Sequence, residues 1–231
     1  VTQGFDTFLF GVLPYLSLAV FFLVTIQRYR QQTFSYSSLS SQLLENRQHF
    51  WGTVPFHYGI LVVLLGHVVA FALPRTVLAW NGVPWRLFVL EGSALAFGLL
   101  TLFGLVNVVV RRLTDSKTRR VTTPSDWVIY ALLAVQVVTG VLVAYLQGWG
   151  SSWFASSLSP WLWSVVKLSP EIAYVQPLPL LAKVHVVNAW LLIGFFPFTR
   201  LVHVLVVPNP YLWRKPQLVV WNRAAPREDE R

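Results

Sequence analysis

Pro55-Phe56-His57-Tyr58-Gly59-Ile60-Leu61-Val62-Val63-Leu64-Leu65-Gly66-His67 sets two imidazoles ten residues apart in an otherwise apolar run. That run extends from about residue 53 to 73 and stops at Pro74-Arg75, a length that reads as a membrane-spanning helix. Ionisable side chains inside a span are costly and mark function when they occur. Near the C-terminus a second apolar segment carries His185 and His203, so four of the five histidines lie in two hydrophobic segments. A lone histidine in a buried helix is more often a hydrogen-bonded core residue. Four imidazoles in two helices ask for a shared ligand.

The rest of the chain has the same character. With 55% hydrophobic, 15% aromatic and 12% charged residues among 231, it reads as an all-α integral membrane protein and not as a soluble domain. The apolar runs predict five transmembrane helices at about 8–26, 53–73, 87–110, 125–146 and 180–207. They form a single membrane domain over residues 1–231, with a basic tail at 208–231. The first run is followed, not preceded, by basic residues, which suits a first span better than a cleaved signal peptide. Residues 31–52 read as a polar loop with His49 on its surface, and the fourth span, without histidine, reads as structural. Between residues 147 and 179, Trp149, Trp153, Trp161 and Trp163 stand among glycines, serines and prolines. They form either an interfacial aromatic belt or a cap over a site, with a short interfacial helix at 160–168.

Five spans put the chain ends on opposite sides. Fourteen of the eighteen Lys and Arg residues then fall on one side, against Arg75, Arg86, Lys167 and Lys183 on the other. The positive-inside rule places the N-terminus outside and the C-terminus in the cytoplasm. It also accounts for the net charge of +9 without a nucleic-acid partner.

The sequence has no cysteine and no methionine, which excludes iron–sulfur clusters, thiolate ligation and His/Met axial pairs within these residues. Zinc and non-haem iron usually take three or more ligands, often with a carboxylate or thiolate, and the spans offer only Glu91. Two histidines trans across a helix gap suit the axial positions of haem b, so the pattern predicts two haems b between helices 2 and 5. Antiparallel running pairs His57 with His203 and His67 with His185. Ten residues span roughly 15 Å of helix and eighteen roughly 27 Å, a mismatch that tilt, a bend at Pro197 or oblique haems must absorb. His185 and His203 share a face five turns apart, and His57 and His67 differ by about 80°. Gly59 and Gly66, near one face, serve either helix packing or the approach of a flat ligand.

Phe56-His57-Tyr58-Gly59-Ile60-Leu61 with Gly66-His67, Ser41-Gln42-Leu43-Leu44, Arg111-Arg112-Leu113, and Pro197-Phe198-Thr199-Arg200-Leu201-Val202-His203 with Tyr211-Leu212 and Arg214-Lys215 resemble the gamma subunit of respiratory nitrate reductase. That family is a di-haem cytochrome b membrane anchor, and the resemblance runs in order over nearly the whole chain. It implies a multi-pass subunit of the prokaryotic cytoplasmic (inner) membrane that oxidises quinol near the outer face. Electrons would pass through a distal haem on His67 and His185 and a proximal haem on His57 and His203. They would continue to iron–sulfur clusters of a cytoplasmic beta subunit and to a molybdenum-containing alpha subunit.

The resemblance further directs attention to a quinol site beside the distal haem, near Gly66, Arg86 and Lys183. Arg111, Arg112 and Arg200 serve either haem propionates, through bidentate pairing, or membrane anchoring at the positive side. Two other functions stay open on the sequence. One is a related cytochrome b anchoring a heterodisulfide- or sulfite-pathway reductase; the other is a small transporter whose histidines line a proton or metal path.

Overall fold

The computed structural model describes residues 2–31 and 47–205. The side chains of His49 and His203, the Ser41-Gln42-Leu43-Leu44 segment and the tail at 208–231 lie outside this description. Five long apolar helices are present: α1 Gly4–Gln31, α2 Arg47–Ala72, α3 Pro84–Thr114, α4 Pro124–Leu146 and α5 Leu180–Phe195. They make an all-helical, multi-pass membrane protein among the described residues.

Several boundaries differ from the sequence expectation. Helix α2 starts at Arg47, so residues 47–52 are helical and not loop. A short helix, Pro74–Asn81, takes much of the expected second loop. α3 runs past both expected ends and opens with a proline in its first turn, where the missing N–H costs nothing. For α4 a start at about residue 125 was expected. Instead Thr123 is the N-cap and Asp126, three residues on, returns the bond to the Thr123 amide at 2.8 Å, a reciprocal capping box.

The largest difference is at the end of α5. A span to residue 207, with room for a bend at Pro197, was expected, yet the α-helix stops at Phe195. Pro197 has no N–H to continue the ladder. The chain passes through a 3₁₀ turn at Phe196–Phe198, an extended Thr199 (φ −114°, ψ 176°) and a second 3₁₀ segment, Arg200–Leu205, that contains the His203 backbone. His203 therefore does not share a helix face with His185, and the expected straight rise between them does not apply.

Arg28 of α1 secures this break, its guanidinium donating to the carbonyls of Pro197 (2.5 Å) and Thr199 (3.0 Å). Hydrogen bonds to a charged group contribute about 1.5–3 kcal/mol each, less here because Arg28 is half-exposed. Arg28→Ala is expected to lower stability by about 2 kcal/mol. Thermal unfolding in detergent checks this, with the exposed Arg30→Ala as a control that leaves the midpoint unchanged.

Packing runs from α2 to α3, α3 to α4, α4 to α5 and α5 to α1. The α2–α3 seam is made by small residues. A Cβ at Gly59 would lie 2.7 Å from the Thr101 amide nitrogen and 2.8 Å from the Phe97 carbonyl. One at Gly104 would lie 2.7 Å from Phe56 Cα and 2.8 Å from the Gly52 carbonyl. This is backbone-to-backbone approach of the small-residue kind found between membrane helices. Gly59 thus serves packing, and its partner one heptad away is Gly52, whereas Gly66 faces open space. Helices α2 and α5, by contrast, share no extended seam among the described residues.

Residues 150–166 fold over one end of this bundle. Trp161 is fully buried against Phe10 and Trp190, and its indole donates to the Phe10 carbonyl at 3.1 Å. That carbonyl stands four residues before Pro14, which has no N–H to offer it. Ser159 and Trp163 donate to the Ala70 (2.8 Å) and Phe71 (3.0 Å) carbonyls, two of the acceptors that the end of α2 leaves without helical partners. The indole of Trp163 also stacks on Phe71 at 5.0 Å. Glu91 of α3 holds the start of the segment through the Ser151 amide (2.8 Å) and hydroxyl (2.6 Å). Of the two readings for these tryptophans, the cap describes Trp161 and Trp163.

At the opposite, basic end, Arg200 pairs with Asp126 at 3.1 Å and donates to the Val121 carbonyl at 2.6 Å. Arg112, buried, donates to the Thr118 carbonyl (3.3 Å) and the Thr122 hydroxyl (3.0 Å). Asp115 caps the short helix Ser116–Arg120. Its carboxyl is held below the usual carboxylate range, first by the Thr118 hydroxyl and then by the Thr118 amide.

Candidate functional site

Across the gap between α2 and α5, His67 and His185 face each other. Their ring centroids are 6.4 Å apart with planes 34° from parallel. Two imidazoles bound to one metal from opposite sides through bonds of about 2.0–2.1 Å, each ring centre about 1.1 Å behind its nitrogen, would stand roughly 6.3 Å apart. The observed spacing fits a bis-histidine haem, and it also explains why the two helices do not pack on one another. Among the described residues no three His, Cys, Asp or Glu side chains gather, so this is a two-ligand arrangement.

Each described ring in the spans is oriented by a partner at Nδ1. His67 Nδ1 lies 2.7 Å from the Val63 carbonyl, and His57 Nδ1 lies 2.7 Å from the Thr53 carbonyl. A carbonyl has no proton to give, so Nδ1 carries the hydrogen and Nε2 keeps its lone pair. Metal-ligating histidines are fixed in this way by their second nitrogen. The edge of Phe154, from the cap, stands against the His67 ring at 5.3 Å and 89°.

His185 is oriented by α4, the helix read from sequence as structural. Thr139 Oγ1 lies 3.0 Å from His185 Nδ1, and Gln136 Nε2 lies 3.0 Å from His185 Nε2. Asn188, one turn on from His185, donates to the Gln136 Oε1 at 2.8 Å and to the Leu132 carbonyl at 2.9 Å. Gly140 leaves room for the ring, since a Cβ there would come within 2.9 Å of His185 Cε1. The signal was present in the sequence: Gln136, Thr139 and Gly140 stand at i, i+3 and i+4 on one face of an apolar span. Polar residues in that setting mark function.

The other expected site residues are less gathered. His57 is exposed on α2 beside Phe56, and the His203 side chain lies outside the described residues. Arg86 lies over the Trp80 and Trp85 rings at 5.0 and 5.7 Å, whereas Lys183 forms an ion pair with Asp6 at 2.8 Å. These two cations, expected at one quinol site with Gly66, are thus committed to different neighbours. Arg112 and Arg200 hold the basic end together through the contacts above, and Arg111 is buried beside them.

Comparison with known proteins follows the same line. Residues 6–222 match the family described as nitrate reductase gamma subunit. The chain is 32% identical to the nitrate reductase gamma chain of Bacillus subtilis over 209 residues, covering 89% of this chain and 94% of that one. It is 31% identical to the respiratory nitrate reductase 1 gamma chain of Escherichia coli over 222 residues, covering 94% and 98%. A more distant likeness, 26% over 174 residues, joins it to the Hdr-like menaquinol oxidoreductase cytochrome b-like subunit of Archaeoglobus profundus, covering 73% of this chain and 50% of that one. With residues 6–222 matched by the family and two gamma chains matched over most of their length, the chain belongs to the nitrate reductase gamma subunit family.

Proposed function

We propose that this chain is the di-haem b, quinol-oxidising membrane subunit of a respiratory nitrate reductase. It is one membrane unit over residues 1–231, set in the cytoplasmic membrane with its basic end and the tail at 208–231 in the cytoplasm. The observation that carries the reading is the pair His67 and His185, 6.4 Å apart across unpacked helices. His67 and His185 would hold the distal haem, and His57 and His203 the proximal one, and haem b held there would supply one-electron transfer.

The protein's own groups do the rest. The carbonyls of Val63 and Thr53 keep the Nε2 lone pairs of His67 and His57 directed away from their own helix turn. The cap shields the outer end, with Phe154 against His67. Quinol is oxidised at that end, near Gly66, Arg86 and Lys183, and its protons leave outward. Arg111, Arg112 and Arg200 neutralise haem propionates at the basic end, where an iron–sulfur beta subunit docks and relays electrons to a molybdenum-containing alpha subunit.

The test is a reduced-minus-oxidised spectrum of the purified protein with a pyridine haemochrome assay, expected to give about two haems b per chain. A preparation with no b-type absorbance would overturn the reading. A second reading, a cytochrome b anchor for a different reductase, is favoured by the archaeal relative named for a menaquinol oxidoreductase. Copurification separates the two, since a stable cytoplasmic partner without molybdenum would favour that alternative. Family membership displaces the transporter reading.

A further inference from the structure

Helix α4 carries a chain of polar groups whose protons are all committed, and it ends on His185. The Thr139 hydroxyl lies 2.6 Å from the Val135 carbonyl and donates there, so toward His185 Nδ1, at 3.0 Å, it has only lone pairs to offer. On the other side, Asn188 donates both to the Leu132 carbonyl and to Gln136 Oε1. That leaves the Gln136 NH₂ beside the ring, 3.0 Å from His185 Nε2 and 3.3 Å from Nδ1. With only lone pairs facing Nδ1 from Thr139 Oγ1, the Thr139 contact is made by the tautomer protonated at Nδ1.

We propose that Thr139 is a positioning residue for the distal haem. By accepting the Nδ1–H of His185 it fixes Nε2 as the ligating nitrogen and strengthens that nitrogen as an electron donor. The proposal rests on the haem ligation argued above. His67 obtains the same orientation from the carbonyl of its own helix. His185 obtains it instead from a side chain of a neighbouring helix, so its donor strength can be altered without touching the backbone.

An imidazole whose Nδ1–H is hydrogen-bonded is the more basic ligand, and a more basic ligand favours ferric over ferrous iron. Removing the acceptor therefore raises the midpoint potential. Thr139→Val keeps the shape and deletes the acceptor, while Thr139→Ser keeps the hydroxyl. Potentiometric titration of the whole purified protein, followed by the b-type absorbance, reads the potential of each haem. The distal component is identified as the one missing in His185→Ala. Thr139→Val is expected to retain both haems and to shift the distal component upward by a several-fold to tenfold change in its reduction equilibrium, where tenfold equals about 59 mV for one electron. Thr139→Ser should stay at the wild-type value.

If Thr139→Val does not accumulate, Thr139→Ala with the same serine control reads the same shift. An unshifted distal potential in Thr139→Val or Thr139→Ala, or an equal shift in Thr139→Ser, overturns the proposal. Full retention of both haems in His185→Ala would instead overturn the ligation on which it rests.

Discussion

Replacing His185 by alanine is expected to remove one haem and leave the other, with quinol oxidation falling to background. The ring stands 6.4 Å from that of His67 across the gap between α2 and α5, the pair proposed to hold the distal haem, and alanine supplies no donor in its place. His67→Ala should give the same spectrum, because either change leaves the iron with one protein ligand. The remaining component belongs to His57 and His203. A pyridine haemochrome assay then reads about half the wild-type haem. Retention of the second haem separates the loss of this one from a general failure to fold. Equal haem content in wild type and His67→Ala would show that the 6.4 Å approach of the rings has nothing to do with iron.

The second large effect lies where no ligand is involved. Gly104→Ala should destabilise the protein, whereas Gly92→Ala, on the same helix, should not. Alanine gains about 1 kcal/mol over glycine in a helix interior, and at Gly92 nothing lies within 4 Å of the added Cβ. At Gly104 the new methyl meets the Phe56 backbone and the Gly52 carbonyl at 2.8 Å, atoms that cannot rotate aside. Overpacking typically costs about 1–3 kcal/mol, and opposing backbone atoms put this site at the upper end, so the net loss is about 2 kcal/mol. Thermal unfolding of the two variants should move the midpoint in opposite directions. Movement in the same direction would mean that the α2–α3 seam does not depend on close backbone approach. Because Phe56 precedes His57, Gly104→Ala should also broaden the absorbance band of the haem held there.

These effects differ in how far the sequence foretold them. Five spans were legible because membrane helices announce themselves by length and apolarity, and the juxtaposition of His67 with His185 followed from antiparallel running alone. The course of α5 was not legible in full. Pro197 marked a bend, yet the choice between a kinked helix and a change to 3₁₀ depends on whether the freed carbonyls find donors. Arg28, 169 residues away in sequence from Pro197, supplies one. The same is true of Pro14, since the Phe10 carbonyl four residues before it is met by Trp161, a contact that composition could only suggest.

The candidate site was legible to the first rank of residues. Histidines stand out in apolar runs, while Gln136 and Thr139 are uncharged and were absorbed into a span that looked featureless. Gly59 and Gly66 show the reverse problem, for they are alike in sequence. One abuts Thr101 and the other faces open space, a distinction made by the rotation of α2 against α3. Arg86 and Lys183 were grouped as basic residues expected beside the distal haem, and each has a neighbour that the sequence did not disclose: Asp6 of the first helix pairs with Lys183, and Arg86 lies over Trp80.

The missing seam between α2 and α5 has a consequence for biosynthesis. Elsewhere in the bundle neighbouring helices hold each other through side chains, whereas among the described residues α2 and α5 share no extended seam and meet at His67 and His185. Iron bonded to both would act as a rivet, and its binding free energy would be part of the folding free energy. Chains made when haem is scarce would keep α3, α4, α5 and α1 together while α2 was held by α3 and by the cap, with nothing joining it to α5. Proteases and quality-control factors would meet an open edge there, which couples the lifetime of the subunit to its supply of cofactor.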